Sequence, residues 1–270
     1  MKWLPLLWFG LSLHVCAQTV PFELHDGFLI TSRCAIGDLR NLIAVVDTGV
    51  TETTLDLRIA KRLSLPMRTE NATVGTRNAA IQAISIPRID FGPVHSENLS
   101  GIAADLSSLT HQTGIRPDVL IGMDVLMLSN FILDYKAKTI TFGSAPPLKH
   151  SAKLISVMRL ALLDATIDGK RLRFQVDTGF NSILVYGGKL GASPLQEPGA
   201  HACTSGIPLR AQRAYVRELQ IGDWKFNRVD VYVTDEGPAG NPGFDGLLGP
   251  TAVGIRRLAF NFEMHTVAWE

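Results

Sequence analysis

The chain has 270 residues, 46 per cent of them hydrophobic, with 26 basic and 25 acidic side chains and a formal net charge of +1. That length allows one large core or two small ones. The balanced charge excludes the basic excess by which nucleic-acid binders recruit their partner, so no nucleic acid is expected.

The first 17 residues read as a processing segment. Lys2 gives a positive start, and Trp3 to Val15 form an apolar run too short to span a bilayer comfortably. Val15-Cys16-Ala17 presents a signal-peptidase site, with cleavage expected after Ala17. Lipid attachment at Cys16 is the alternative, disfavoured by the bulk of Val15. The expectation is a secreted or periplasmic mature protein with no membrane span. Cys34 and Cys203 then remain, read as two unpaired, partly buried thiols, with a bridge between them the other state open to them. His25, His95, His111, His150, His201 and His265 are scattered without ligand spacing, and neither GxSxG nor a P-loop occurs, so no metal and no cofactor are expected.

Val20 to Val46 reads as short strands punctuated by Gly27 and Gly37-Asp38, and it delivers Ala44-Val45-Val46-Asp47-Thr48-Gly49. A carboxylate at the end of a buried strand is costly unless something uses or neutralises it. Asp56 can cap a short helix in which Leu57, Ala60 and Leu63 share a face, ended by Pro66. Short strands and turns resume from Thr69 to Leu106. Leu120-Ile121-Gly122 is a second apolar run ending in glycine, and Ile132 to Phe142 reads as a strand pair around Lys136-Ala137-Lys138. Residues 144–153, with Pro146 and Pro147, read as a linker between a first unit (18–143) and a second (154–270).

The second unit retraces the first. Asp168-Gly169 is a hairpin turn ahead of Phe174-Gln175-Val176-Asp177-Thr178-Gly179, and Leu247-Leu248-Gly249 matches the run ending at Gly122. Asp177 follows Asp47 by 130 residues, and Gly249 follows Gly122 by 127. With the second offset held, Leu133-Asp134-Tyr135 falls on Phe260-Asn261-Phe262 without a gap. The chain is a tandem duplication.

Two units, each with apolar-Asp-Thr-Gly followed about 70 residues on by apolar-apolar-Gly, resemble the retropepsin-like aspartic proteases. The resemblance covers nearly all of the chain beyond residue 17. It implies a mostly β protein of two homologous closed β-barrel lobes with short helices, paired within one monomeric chain. It also implies a catalytic pair, Asp47 and Asp177, with Thr48 and Thr178 bracing the two loops and Gly49 and Gly179 leaving room for the carboxylates. Two adjacent carboxylates cannot both ionise cheaply, so the pair shares a proton and can activate water against a peptide bond without metal or cofactor. The expected partner is a peptide or protein substrate, cut as an endopeptidase. The alternatives are a degenerate member that binds extended peptides without cutting, or a structural envelope β-protein. Val50 and Phe180 depart from the Ala or Ser common after the glycine, and Phe180 is large for a crowded loop. Thr51 and Asn181 stand where retroviral members carry an acid. Hairpin flaps are expected at Ala72 to Ile84, around Gly75, and Gly199 to Gln212, around Gly206; Asp118 and Asp245 read as turn residues.

Overall fold

The computed structural model describes residues 18–74, 77–143, 146–187, 189–190, 198–202, 208–234 and 243–270. The first repeat opens with β1 (Gln18–Pro21), β2 (Glu23–His25), β3 (Leu29–Ile36), β4 (Leu39–Val46), β5 (Thr54–Asp56) and helix α1 (Leu57–Arg62). It continues through β6 (Arg68–Val74), β7 (Arg77–Phe91), β8 (Val94–Ala104), α2 (Ser107–Thr113), β9 (Val119–Ile121), α3 (Met123–Leu126), β10 (Phe131–Asp134) and β11 (Thr139–Phe142). The second repeat runs β12 (His150–Lys153), β13 (Ile155–Val157), β14 (Leu160–Ile167), β15 (Lys170–Val176), β16 (Ile183–Tyr186) and β17 (Pro198–Ala202). It closes with β18 (Pro208–Ile221), β19 (Trp224–Thr234), β20 (Gly246–Leu248), a 3-10 turn (Pro250–Val253), β21 (Arg257–Asn261) and β22 (Thr266–Trp269).

Each repeat closes into a barrel. In the first, β3, β4, β9, β5, β8 and β7 are neighbours in that order, and β7 pairs back onto β3 through Ala35 and Ile36. In the second, β14, β15, β20, β16, β19 and β18 follow the same order, and β18 pairs back onto β14. The hairpin turn before β15 has Asp168 at φ 47° and Gly169 at φ 84°, the doubly left-handed backbone that lets a two-residue turn match the strand twist. Asp56 caps α1 by accepting from the Arg58 N–H, and Ile59 and Ala60 are its buried residues, with Leu57 and Leu63 packed on the core beside them.

A third sheet joins the lobes. Its order is β1-β11-β10-β21-β22-β12, so each repeat supplies three strands and the lobe boundary falls at the β10–β21 pairing of Phe131 with Phe260 and Leu133 with Leu258. The Phe131 and Phe260 rings sit 4.9 Å apart, and one apolar cluster runs from both barrels into this sheet. The end of the stretch read as a linker is therefore structured: His150–Lys153 is an edge strand on Thr266–Trp269. Its side chains alternate between half-buried and exposed, too weak a pattern to signal a strand without the distant partner. Residues 1–17, Cys203, Gly75 and Gly206 lie outside the described residues. The arms of both flap candidates are antiparallel hairpins, β6–β7 and β17–β18.

Candidate active site

The strand β4 is buried from Ala44 to Val46 because it lies between β3 and the parallel strand β9. Parallel strands covered on both faces read as continuous apolar runs, which is why Leu42 to Val46 and Val119 to Ile121 look alike. The register sets Val46 opposite Ile121, and the Asp47 N–H donates to the Ile121 carbonyl at 3.0 Å. The second repeat copies this with Val176 opposite Leu248 and the Asp177 N–H on the Leu248 carbonyl at 3.0 Å. Gly122 has a physical reason to be glycine: a Cβ there would stand 2.8 Å from the Val50 carbonyl, where the loop after Asp47 crosses. Gly249 is crossed in the same way by the carbonyls of Phe180 and Ser182.

The two Asp-Thr-Gly loops meet across the lobe boundary. The Thr48 N–H donates to Thr178 Oγ1 at 3.0 Å, and the Thr178 N–H donates to Thr48 Oγ1 at 3.0 Å. Each hydroxyl then donates onward, Thr48 to the Val176 carbonyl at 2.8 Å and Thr178 to the Val46 carbonyl at 3.2 Å. Both threonines are fully buried. Within each loop the glycine amide turns onto its own aspartate: Gly49 N–H to Asp47 Oδ1 at 2.8 Å, Gly179 N–H to Asp177 Oδ1 at 2.9 Å.

The consequence is that two carboxyl groups from opposite lobes share one buried space. Asp47 is 0 per cent exposed and Asp177 3 per cent, and Gly49, whose N–H holds Asp47 Oδ1, lies directly against the Asp177 carboxyl group. Burial pushes the Asp177 carboxyl well above the ordinary carboxylate range; the neighbouring Asp47 pushes the same way, and only the Gly179 amide opposes them. Gly49 lies against this pair so closely that a methyl in place of its hydrogen would overlap the Asp177 carboxyl group. The described residues contain no cluster of three or more His, Cys, Asp or Glu side chains arranged to hold a metal ion.

A model of one protein family, described as aspartyl protease, matches residues 32–125 and matches again over residues 163–251. The chain belongs to the aspartyl protease family. The two matches fall on the two barrels and carry one Asp-Thr-Gly loop each. No curated protein matches the chain.

The chain accommodates Val50 and Phe180 by turning each into its own lobe. Phe180 is buried with Leu184, Tyr186, Ala211 and Leu247, with Tyr232 and Phe244 packed on them. Its bulk is thus absorbed by the second lobe, which corrects the expectation of crowding in the loop. Val50 packs on the matching cluster of the first lobe, Leu29, Val45, Leu106, Leu109 and Leu120. Asp118 and Asp245 fasten strands: each carboxylate accepts a backbone N–H, from Ile43 and Arg173 respectively, at 2.9 Å. Asp124 is buried and accepts from the Thr53 amide at 2.8 Å and the Thr53 hydroxyl at 2.7 Å, tying α3 to the loop after Asp47. Cys34 is a free, buried thiol whose pKa is raised to about 12 by burial, with the Asp118 charge adding to it. No helix among the described residues is long and apolar enough to cross a membrane.

One site residue was not singled out in the sequence. Gln175, 3 per cent exposed on β15, donates its side-chain amide to the Gly49 carbonyl at 2.9 Å, reaching from the second lobe to the first. The signal was there: aligning the repeats at their aspartates sets Gln175 opposite Val45, a polar residue where the other copy is apolar.

Proposed function

We propose that this protein is an aspartic endopeptidase whose catalytic pair is Asp47 and Asp177, one from each lobe. The observation that carries this reading is the meeting of the two buried carboxyl groups across the reciprocal threonine contact, each cradled by its own glycine amide. The upward push on Asp177 supports it as the member that holds the proton. Ionised Asp47 then takes a proton from a water molecule, whose oxygen attacks the scissile carbonyl carbon. Asp177 donates to the carbonyl oxygen and stabilises the charge that develops there. On collapse of the tetrahedral intermediate Asp47 passes its proton to the leaving amine and Asp177 regains one from a hydroxyl of the intermediate, which restores the pair; the attacking oxygen comes from water, so no covalent enzyme intermediate forms. Thr48 and Thr178 hold the two loops at fixed separation, and the work of positioning is done before substrate arrives. The N-terminal apolar segment supports export, with the mature protein acting as a monomer.

The test is digestion of a denatured protein by the mature chain from acid to neutral pH, with and without pepstatin, beside Asp47→Asn and Asp177→Asn. Cleavage by the wild type alone, blocked by pepstatin, is expected. Cleavage that survives either substitution overturns the pair, and tight peptide binding without any cleavage identifies a binding protein instead.

A further inference from the structure

We infer that Gln175 is a positioning residue that fixes the Gly49 peptide from across the lobe boundary, and with it the approach of the two aspartates, from one side only. The inference rests on the Asp47–Asp177 pair described above. The threonine bonds are reciprocal, so by themselves they hold the two loops as equals. The bond from Gln175 Nε2 to the Gly49 carbonyl is not reciprocal. Val45 stands at the matching place in the first repeat, packed with Leu29 and Leu120, and its side chain has no proton to give the Gly179 carbonyl.

Gly49 is where such a restraint has most effect. Its N–H holds Asp47 Oδ1, and its Cα faces the Asp177 carboxyl with no room for a methyl. A tilt of this peptide moves one carboxylate and opens space beside the other. A buried glutamine amide also carries a desolvation cost that a valine would not, so its place next to the pair calls for a polar partner, and the Gly49 carbonyl is that partner. With the donor removed, the half-buried Gly49 carbonyl loses this partner, the loop relaxes, and the two carboxyl groups separate.

Separation has a signature that loss of stability alone lacks. Two carboxylates in contact release their protons in two widely spaced steps, and the spacing measures how closely they interact. Among the described residues Tyr135 feels the Asp177 charge; its hydroxyl is buried and pushed up by that burial and by the charge, so it keeps its proton throughout the range titrated. The experiment is a carbon-13 titration of the aspartate carboxyls in the full mature chain, for wild type, Gln175→Leu and Gln175→Glu. In Gln175→Leu the two steps of the pair are expected to close by about one pH unit or more. The kcat/KM of cleavage should fall about tenfold to a hundredfold, chiefly in kcat. Gln175→Glu should match the wild type at acid pH, where its protonated carboxyl can donate to the Gly49 carbonyl, and depart from it once ionised. Unchanged spacing in both folded variants overturns the inference, even if their melting temperatures fall. If Gln175→Leu does not fold, Gln175→Glu on either side of its ionisation decides the matter alone. A wild type that shows two spaced steps but cuts no protein removes the protease reading and leaves the Gln175 titration as a separate result.

Discussion

Replacing Thr48 by valine removes one hydroxyl and almost no volume, so the change isolates hydrogen bonding from packing. Two buried backbone groups lose their partner: the Thr178 N–H, which donates to Thr48 Oγ1 at 3.0 Å, and the Val176 carbonyl, which accepts from it at 2.8 Å. A buried group left unsatisfied costs about 1–3 kcal/mol, so the pair costs about 2–6 kcal/mol. For a chain of this size that corresponds to a melting temperature lower by roughly 4–24 °C. Thr178→Val should cost a similar amount through the Thr48 N–H and the Val46 carbonyl. The double variant should cost less than the two singles added, because either valine already breaks the reciprocal contact. Thr19→Val is the control: its hydroxyl pairs with Thr141 at 3.1 Å on an exposed sheet edge, where about 0.5 kcal/mol or less is expected. Thermal melts followed by circular dichroism measure all four. A Thr48→Val melt no lower than that of Thr19→Val would refute the assignment of the loop contact as the bond between lobes.

Three further outcomes follow from the same geometry. Asp177 keeps its proton in the folded state at pH values where it is ionised when unfolded, so the native chain binds the extra proton and its stability falls as pH rises from about 4. Asp177→Asn is locked in the neutral form, and melts should show it more stable than wild type near neutral pH, with the gap closing towards about pH 4; a gap independent of pH contradicts the raised carboxyl. Gly49→Ala forces a methyl into the Asp177 carboxyl, so peptide cleavage should be lost while folding costs about 1–3 kcal/mol, and full retention of activity would show that the loop has room to give. Phe180→Ser, which puts a small polar residue in its place, empties the cluster of Leu184, Tyr186, Ala211 and Leu247 and should cost about 3–5 kcal/mol with no gain in rate; a stabilised or faster variant would mean that Phe180 does crowd the loop.

The parts of the fold that repeat were legible, because repetition supplies a comparison within one chain. Asp47 and Asp177, Gly122 and Gly249, and the closing strand pairs could be aligned with each other, and each glycine marks a backbone crossing that admits no side chain. Features belonging to one repeat only were harder to see. The helix Ser107–Thr113 has Leu106 at its N-cap, and the carboxylate that accepts its first N–H, from Ser107 at 2.9 Å, belongs to Asp105, one residue before the cap, which blurs the signal of its start. Strand His150–Lys153 is defined by a partner more than a hundred residues away. The role of Gln175 likewise depends on a carbonyl 126 residues distant, and only its contrast with Val45 was written locally.

The sheet shared by the lobes also bears on how the molecule is made. Synthesis runs from the N-terminus, so the first barrel and β10 are complete long before β21, their neighbour at the lobe boundary, leaves the ribosome. Until residues 257–261 arrive, β10 offers Phe131 to Asp134 as an uncovered, apolar sheet edge, the kind that recruits other unfinished chains. Closing that edge requires contact across about half the chain, which slows folding. Loss of the last 14 residues would therefore act far from the aspartates, by leaving the first half with an adhesive border.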